Sequence, residues 1–97
     1  MKLLFCIRCQ DLFRLTQEQK RCKCGVAGGQ YLDEVNAEYT GYCAIPLGIS
    51  NESFKHALKK QPKEGLGAQF TAFVIAEECN TFKQVKHLFE KNNTMGV

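Results

Sequence analysis

The sequence predicts an α+β fold, a small and mostly antiparallel sheet with two helices. Three observations predict it. Residues 69–76 are apolar at nearly every position, as in a strand covered on both faces. Phe54, Ala57 and Leu58 follow the i, i+3, i+4 spacing of a helical stripe. Short apolar runs earlier in the chain are separated by turn-forming residues at distances that suit strands.

In chain order, Leu3, Leu4 and Phe5 form a short strand entering a cysteine-bearing turn, and residues 12–15 form the returning strand of a hairpin. Residues 17–20 are a polar turn leading into Arg21-Cys22-Lys23-Cys24-Gly25. Residues 30–33 and 37–42 are two strands, joined by Glu34, Val35 and Asn36. Tyr39 and Gly41 fall on one face of the second strand, and Glu38, Thr40 and Tyr42 on the other. Residues 43–49 continue as an extended apolar segment. Pro46 has no backbone donor, which places the segment at a sheet edge or in a loop. Ser50 or Asn51 caps a helix that runs to Gln61 and is stopped by Pro62. After a loop at 63–67 and the apolar strand, a second helix starts at Thr81. Thr81 and Gln84 match a capping box, and Phe82, Val85, Leu88 and Phe89 supply the apolar face. Residues 92–97 form a frayed tail.

The chain has 97 residues, which corresponds to one domain over residues 1–97: a cysteine-bearing head (1–30), an α+β part (31–91) and the tail. Domains of this size bury a modest share of their surface, and metal sites often reinforce them. Hydrophobic residues make up 44% and charged residues 24%, an ordinary soluble balance. No segment approaches the roughly 20 apolar residues that a membrane span needs. The apolar start ends at Arg8, short of the roughly 7–15 residues of a signal peptide core. The expected location is therefore the reducing cytoplasm, where six cysteines argue for metal rather than disulfides.

The cysteine pattern is Cys6-x2-Cys9-x12-Cys22-x-Cys24-Gly25. A C-x2-C turn presents two sulfurs on one side of a tetrahedron, and twelve intervening residues suffice for a return that brings the second pair. Zn²⁺ favours four such thiolates, and a site closed by four protein ligands is structural rather than catalytic. One structural Zn²⁺ per chain is the expected cofactor. The second pair departs from the usual C-x2-C by one residue, and an iron site of the rubredoxin type would carry two C-x2-C-Gly turns, which neither pair has. Gly25 is expected to allow close backbone approach to the metal.

On Cys6, Cys9, Cys22 and Cys24, residues 3–30 resemble the zinc-ribbon family. The resemblance implies an N-terminal zinc ribbon with four cysteine ligands. Ribbons serve in transcription factors, ribosomal proteins and partner-docking modules, so they imply a binding role without selecting the partner. On residues 44–48 and 70–75 the whole chain resembles small uncharacterised ribbon-headed proteins of bacteria and their phages. That likeness implies a fold unit, with a phage-type modulator of host machinery as one version of its role.

Charge is unevenly distributed. Residues 1–30 carry six Lys/Arg and two acids, residues 31–52 four acids and no Lys/Arg, and residues 53–97 seven Lys and four acids. The formal charge of +3 falls to about +1 once four thiolates and one Zn²⁺ are counted. Arg8, Arg14, Arg21 and Lys23 around the cysteines and Lys55, Lys59 and Lys60 on the first helix are the candidate contact residues for an acidic protein surface or for nucleic acid. Lys63, Lys83, Lys86 and Lys91 would extend the basic surface, and Phe13 and Tyr31 could add stacking. A protein partner is favoured over nucleic acid, because the metallated charge is near zero and Asp33, Glu34, Glu38 and Glu52 form an acidic strip. Cys43 and Cys79 read as small buried hydrophobes, with a third or bridging metal role as the alternative. Cys79 just before the second helix would, as a thiol activated by the helix N-terminus, support a small thiol-dependent enzyme. His56 and His87 read as solvated helix residues with no catalytic companions. The glycines of 25–29 and 65–67 read as turns, since they lack the context of a phosphate loop. The preferred expectation is a non-catalytic module.

Overall fold

Strands dominate the computed structural model, which describes residues 1–86. Eight are present among these residues: β1 (Lys2–Cys6), β2 (Leu12–Arg14), β3 (Lys20–Arg21), β4 (Gly28–Tyr31), β5 (Ala37–Thr40), β6 (Ala44–Ile49), β7 (Ala72–Val74) and β8 (Phe82–Gln84). One helix, α1 (Asn51–Lys59), joins β6 to the segment before β7. Two four-stranded sheets result. The first has the order β2-β1-β6-β7, antiparallel throughout. The second has the order β3-β4-β5-β8, with β5 and β8 parallel. Leu4 and Cys6 from the first sheet share one buried cluster with Ala27, Tyr39 and Phe82 from the second and its approaches.

The expected hairpins form. β1 and β2 pair with Leu4 opposite Phe13, and β4 and β5 pair with Tyr31 opposite Ala37. Asp33 shapes the β4–β5 loop. Its Oδ1 accepts the Val35 and Asn36 amides at 2.8 and 2.7 Å, and its Oδ2 accepts the Asn36 side-chain amide at 2.9 Å. These bonds hold the Asp33 carboxyl down to about 2, the Asn36 side chain first among them.

The expectation of an α+β fold with two helices is overturned. The chain is mostly β, and residues 82–84 form a strand where the second helix was expected to begin. Burial decides this. Phe82 is completely buried, edge-on to Tyr39 at a centroid distance of 5.0 Å. The Ala37 amide donates to the Thr81 carbonyl at 2.9 Å, and the Val85 amide to Tyr39 at 2.7 Å. Pairing with β5 removes Phe82 from water, which outweighs the few tenths to one kcal/mol that a capping box supplies locally. The rest of that expected helix, with His87, Leu88, Phe89 and Lys91, lies outside the described residues, as does the tail.

Two further strand expectations change. Of residues 69–76 only Ala72–Val74 is a strand, and it lies at a sheet edge with all three residues exposed. Phe70 turns instead toward helix α1, where it meets Phe54 edge-on at 4.9 Å. Conversely, β6 is an interior strand although it contains Pro46. In an antiparallel strand the nitrogen and carbonyl of one residue face the same neighbour. The Pro46 carbonyl accepts from Ile75 at 2.9 Å, so its donorless nitrogen faces the end of the short strand β7, and the ladder to β1 loses nothing.

Helix α1 starts as expected. Ser50 is the N-cap, its Oγ accepting the Ser53 amide at 3.4 Å. It ends at Lys59, two residues before Gln61. Its stripe is not buried as expected: Phe54 and Ala57 are half-buried, Leu58 is 58% exposed, and no helix residue is fully covered.

Candidate metal centre

The two cysteine pairs enter from different sheets. Cys6 ends β1 of the first sheet, and Cys22 directly follows β3 of the second. Around the first pair the chain closes tightly: the Gln10 amide donates to the Cys6 carbonyl at 2.7 Å and the Cys6 amide to Asp11 at 2.9 Å. This turn needs a left-handed residue, and Gln10 takes that role at φ 60°. Around the second pair, the Gly25 amide donates to Cys22 at 3.0 Å and the Cys22 amide to Ala27 at 2.8 Å. Gly25 has φ 82°, and a Cβ added there would meet nothing within 4 Å. Its value is therefore backbone freedom and not the close approach expected from the sequence. Asp11 ties the turns together, its Oδ2 accepting the Lys23 amide at 3.0 Å.

The sulfurs of Cys6, Cys9, Cys22 and Cys24 all lie within 4.8 Å of one another. Cys6 and Cys24 sulfurs are 3.7 Å apart, and those of Cys22 and Cys24 are 3.5 Å apart. A tetrahedron with metal–sulfur bonds of about 2.3 Å has sulfur–sulfur edges of about 3.8 Å. The donor set and spacing therefore fit a four-thiolate metal ion. Cys6 and Cys22 are buried, Cys9 is half-buried and Cys24 is exposed, so the cage is open to small reagents on the Cys24 side.

Its electrostatics favour the thiolate at Cys9 and Cys22 and oppose it at Cys24. Desolvation raises the Cys9 thiol, but the amides of Cys24 and Asp11 and the Cys6 sulfur outweigh it and bring the thiol below its ordinary value. Cys22 is also lowered: the Ala27 amide, 3.4 Å from its sulfur, and Cys24 outweigh desolvation. At Cys24 the Val26 amide pulls the thiol down, but desolvation and the sulfurs of Cys22, Cys6 and Cys9 together push it up to about 12. Four sulfurs this close repel as anions, and a divalent cation among them removes that repulsion.

The expected contact residues divide. Arg8, Arg21 and Lys23 are exposed in the two cysteine loops, with the Arg21 guanidinium donating to the Gly25 carbonyl at 2.8 Å. Arg14 and Lys55 line a cleft of about 490 Å³ that Asp33 and Glu34 also line. Lys59 and Lys60 are exposed at the end of the helix. Phe13 packs against the core as a half-buried residue, and the Tyr31 ring is occupied by the Lys2 ammonium at 5.4 Å from its centroid. His56 is exposed on α1. Cys79 precedes a strand, not a helix. Its thiol is nevertheless lowered, by the Thr81 hydroxyl at 3.4 Å first and then by the Thr81 and Phe82 amides. It lines a cleft of about 410 Å³ with Ile49, Phe73 and Val74.

Two features were not read from the sequence. Asp11 was not singled out, although its position two residues past Cys9 is a usable signal. Cys43 lies with its sulfur 3.4 Å from that of Cys6, and no local pattern connects residues 37 positions apart.

Among the comparisons with known proteins, no family model, no curated protein and no solved structure matches this chain. The likeness to zinc ribbons thus stands on the cysteine spacing alone. Among the described residues no helix is long and apolar enough to cross a membrane.

Proposed function

We propose that the chain binds one structural Zn²⁺ through Cys6, Cys9, Cys22 and Cys24 and acts as a non-catalytic docking module for a protein partner. The observation that carries the metal reading is the convergence of four sulfurs from two sheets within 4.8 Å. Zinc suits an all-sulfur, closed set, and in a cytoplasm it is the ordinary occupant of one. Metal analysis of purified protein tests this. One zinc per chain is expected, and substoichiometric metal of every kind would refute it.

Docking is supported by the surface beside the cage. Ile7, Leu12 and Tyr42 are 57%, 53% and 82% exposed. The Ile7 amide donates to the Cys43 carbonyl at 3.0 Å, which sets Ile7 close to Tyr42. Exposed apolar and aromatic side chains on a rigid tip, with Arg8 beside them, suit the centre of a protein interface. A phage-type modulator of host machinery is one form of this role. The test is affinity capture with wild-type protein and an Ile7→Ser, Tyr42→Ser variant that keeps its zinc. A specific partner lost with the variant supports docking; a partner retained unchanged counts against this surface.

A nucleic-acid role is the second reading, motivated by exposed Arg8, Arg21 and Lys23 around the cage. The acids in the Arg14–Lys55 cleft oppose it. Fluorescence anisotropy with single- and double-stranded DNA and RNA at low salt is expected to stay flat. Saturable binding that weakens with salt would reverse the preference.

A further inference from the structure

Three sulfurs run from the surface of the metal centre into the core. Cys24 is exposed, Cys6 is completely buried and Cys43 is 6% exposed. The Cys6 sulfur lies 3.7 Å from that of Cys24 and 3.4 Å from that of Cys43. Cys43 lies in the turn just before β6, and the pairing of Cys6 with Ala44 brings that turn against the end of β1, where the Ile7 amide donates to the Cys43 carbonyl at 3.0 Å. Cys43 is not one of the four residues whose sulfurs lie mutually within 4.8 Å. A metal held by those four leaves the Cys43 thiol uncoordinated and in van der Waals contact with one ligand.

We propose that Cys43 is the resolving thiol of a peroxide-sensitive metal centre, and that oxidation ends in a Cys6–Cys43 disulfide that loosens the metal. The inference rests on the zinc reading above. The oxidant is a hydroperoxide, with hydrogen peroxide as the simplest member. The metal-bound Cys24 thiolate, the accessible ligand, attacks the peroxide; a sulfur–oxygen bond forms, the oxygen–oxygen bond breaks and hydroxide leaves. The Cys6 thiolate then attacks the Cys24 sulfur, forming a Cys6–Cys24 disulfide and expelling a second hydroxide. Cys43 gives its proton to that hydroxide and attacks Cys6, so the Cys6–Cys43 bond forms while Cys24 leaves as a thiolate. Two sulfurs each lose one electron and the peroxide gains two. One proton from Cys43 and one from solvent complete two waters. Disulfide sulfurs are not thiolate ligands, so Cys9, Cys22 and Cys24 are left to hold the ion alone.

The experiment treats zinc-loaded, full-length protein with a single equivalent of hydrogen peroxide beside a chromogenic zinc chelator, then alkylates the remaining thiols. Digestion with trypsin and chymotrypsin cuts at Tyr42 and so separates Cys43 from Cys24 before mass spectrometry. The expected result is a Cys6–Cys43 linked peptide, a several-fold drop in Cys43 alkylation with Cys24 still alkylated, and zinc passing to the chelator, all reversed by a thiol reductant. In Cys43→Ser the product should stop at Cys6–Cys24, with Cys24 protected from alkylation. A wild-type disulfide confined to Cys22–Cys24 or Cys6–Cys24, with Cys43 fully alkylated, overturns the inference. That map decides even if the serine variant fails to fold. Zinc content measured before peroxide is added separates the two failures: zinc present without the Cys6–Cys43 link sinks only this inference, and no zinc sinks the reading beneath it.

Discussion

Removing the metal should loosen the junction between the two sheets, and the size of the effect follows from the chain. A ligand that binds only the folded state stabilises it by RT ln(1 + [L]/Kd), about 4.1 kcal/mol at a thousandfold excess of free zinc over Kd. Unfolding entropy near the midpoint is about 2.1 cal/mol/K per residue. Over 97 residues that is roughly 200 cal/mol/K, so stripping the zinc should lower the midpoint by about 20 °C. The loss is large against the roughly 5–15 kcal/mol that holds most domains together. It should be felt here, because no residue of α1 is buried and the shared core is small. The assay is thermal unfolding followed by circular dichroism, in buffered free zinc and in excess chelator, which reaches the ion past exposed Cys24. Acid should act in the same direction. Cys24, held up at about 12 by its neighbours in the metal-free cage, gives up its proton when metal binds, so metal affinity falls as pH falls. A midpoint that moves by less than about 5 °C between zinc and chelator would refute the claim that the metal joins the sheets.

Other changes probe separate parts of the structure. Gln10→Gly relieves a left-handed residue in the first cysteine turn and should stabilise the folded protein by about 0.5–1 kcal/mol in urea unfolding, whereas Gly25→Ala should cost about 1–2 kcal/mol; equal effects of both would contradict the turn geometry. Phe82→Ala should cost about 3–5 kcal/mol and Phe73→Ala, at a position 50% exposed, about 1 kcal/mol or less; the reverse order would displace β8 from the core. Asp33 is held at about 2 against an ordinary 3.8, so its contribution is complete above pH 3.8 and disappears as pH falls through 2; Asp33→Asn should flatten the acid limb of the stability curve in that window, and an unchanged limb would argue against the loop. With zinc bound, Cys79 should be alkylated by iodoacetamide faster than Cys43, since Cys43 is buried and Cys79 is lowered by Thr81. A Cys79 no faster than a model thiol would also end the thiol-enzyme alternative.

What the sequence by itself determined is local. The pairing of Cys6 with Cys9 and of Cys22 with Cys24, the β4–β5 hairpin around Asp33 and the Ser50 cap each depend on residues within a few positions, and their chemistry is legible there. Three other features were decided by the tertiary structure. Thr81 and Gln84 carry a helix signal, yet the segment pairs with β5 because that buries Phe82. Pro46 reads as an edge residue, yet it sits inside a sheet because its nitrogen faces the end of a short neighbour. Cys43 reads as a small buried hydrophobe, yet the turn before β6, brought against the end of β1, sets its sulfur 3.4 Å from that of Cys6. A cap, a turn or a C-x2-C loop is worth about a kcal/mol and is written in adjacent residues. Which segment wins a place in the core is a competition among all segments for the same buried surface, and only the folded chain settles it.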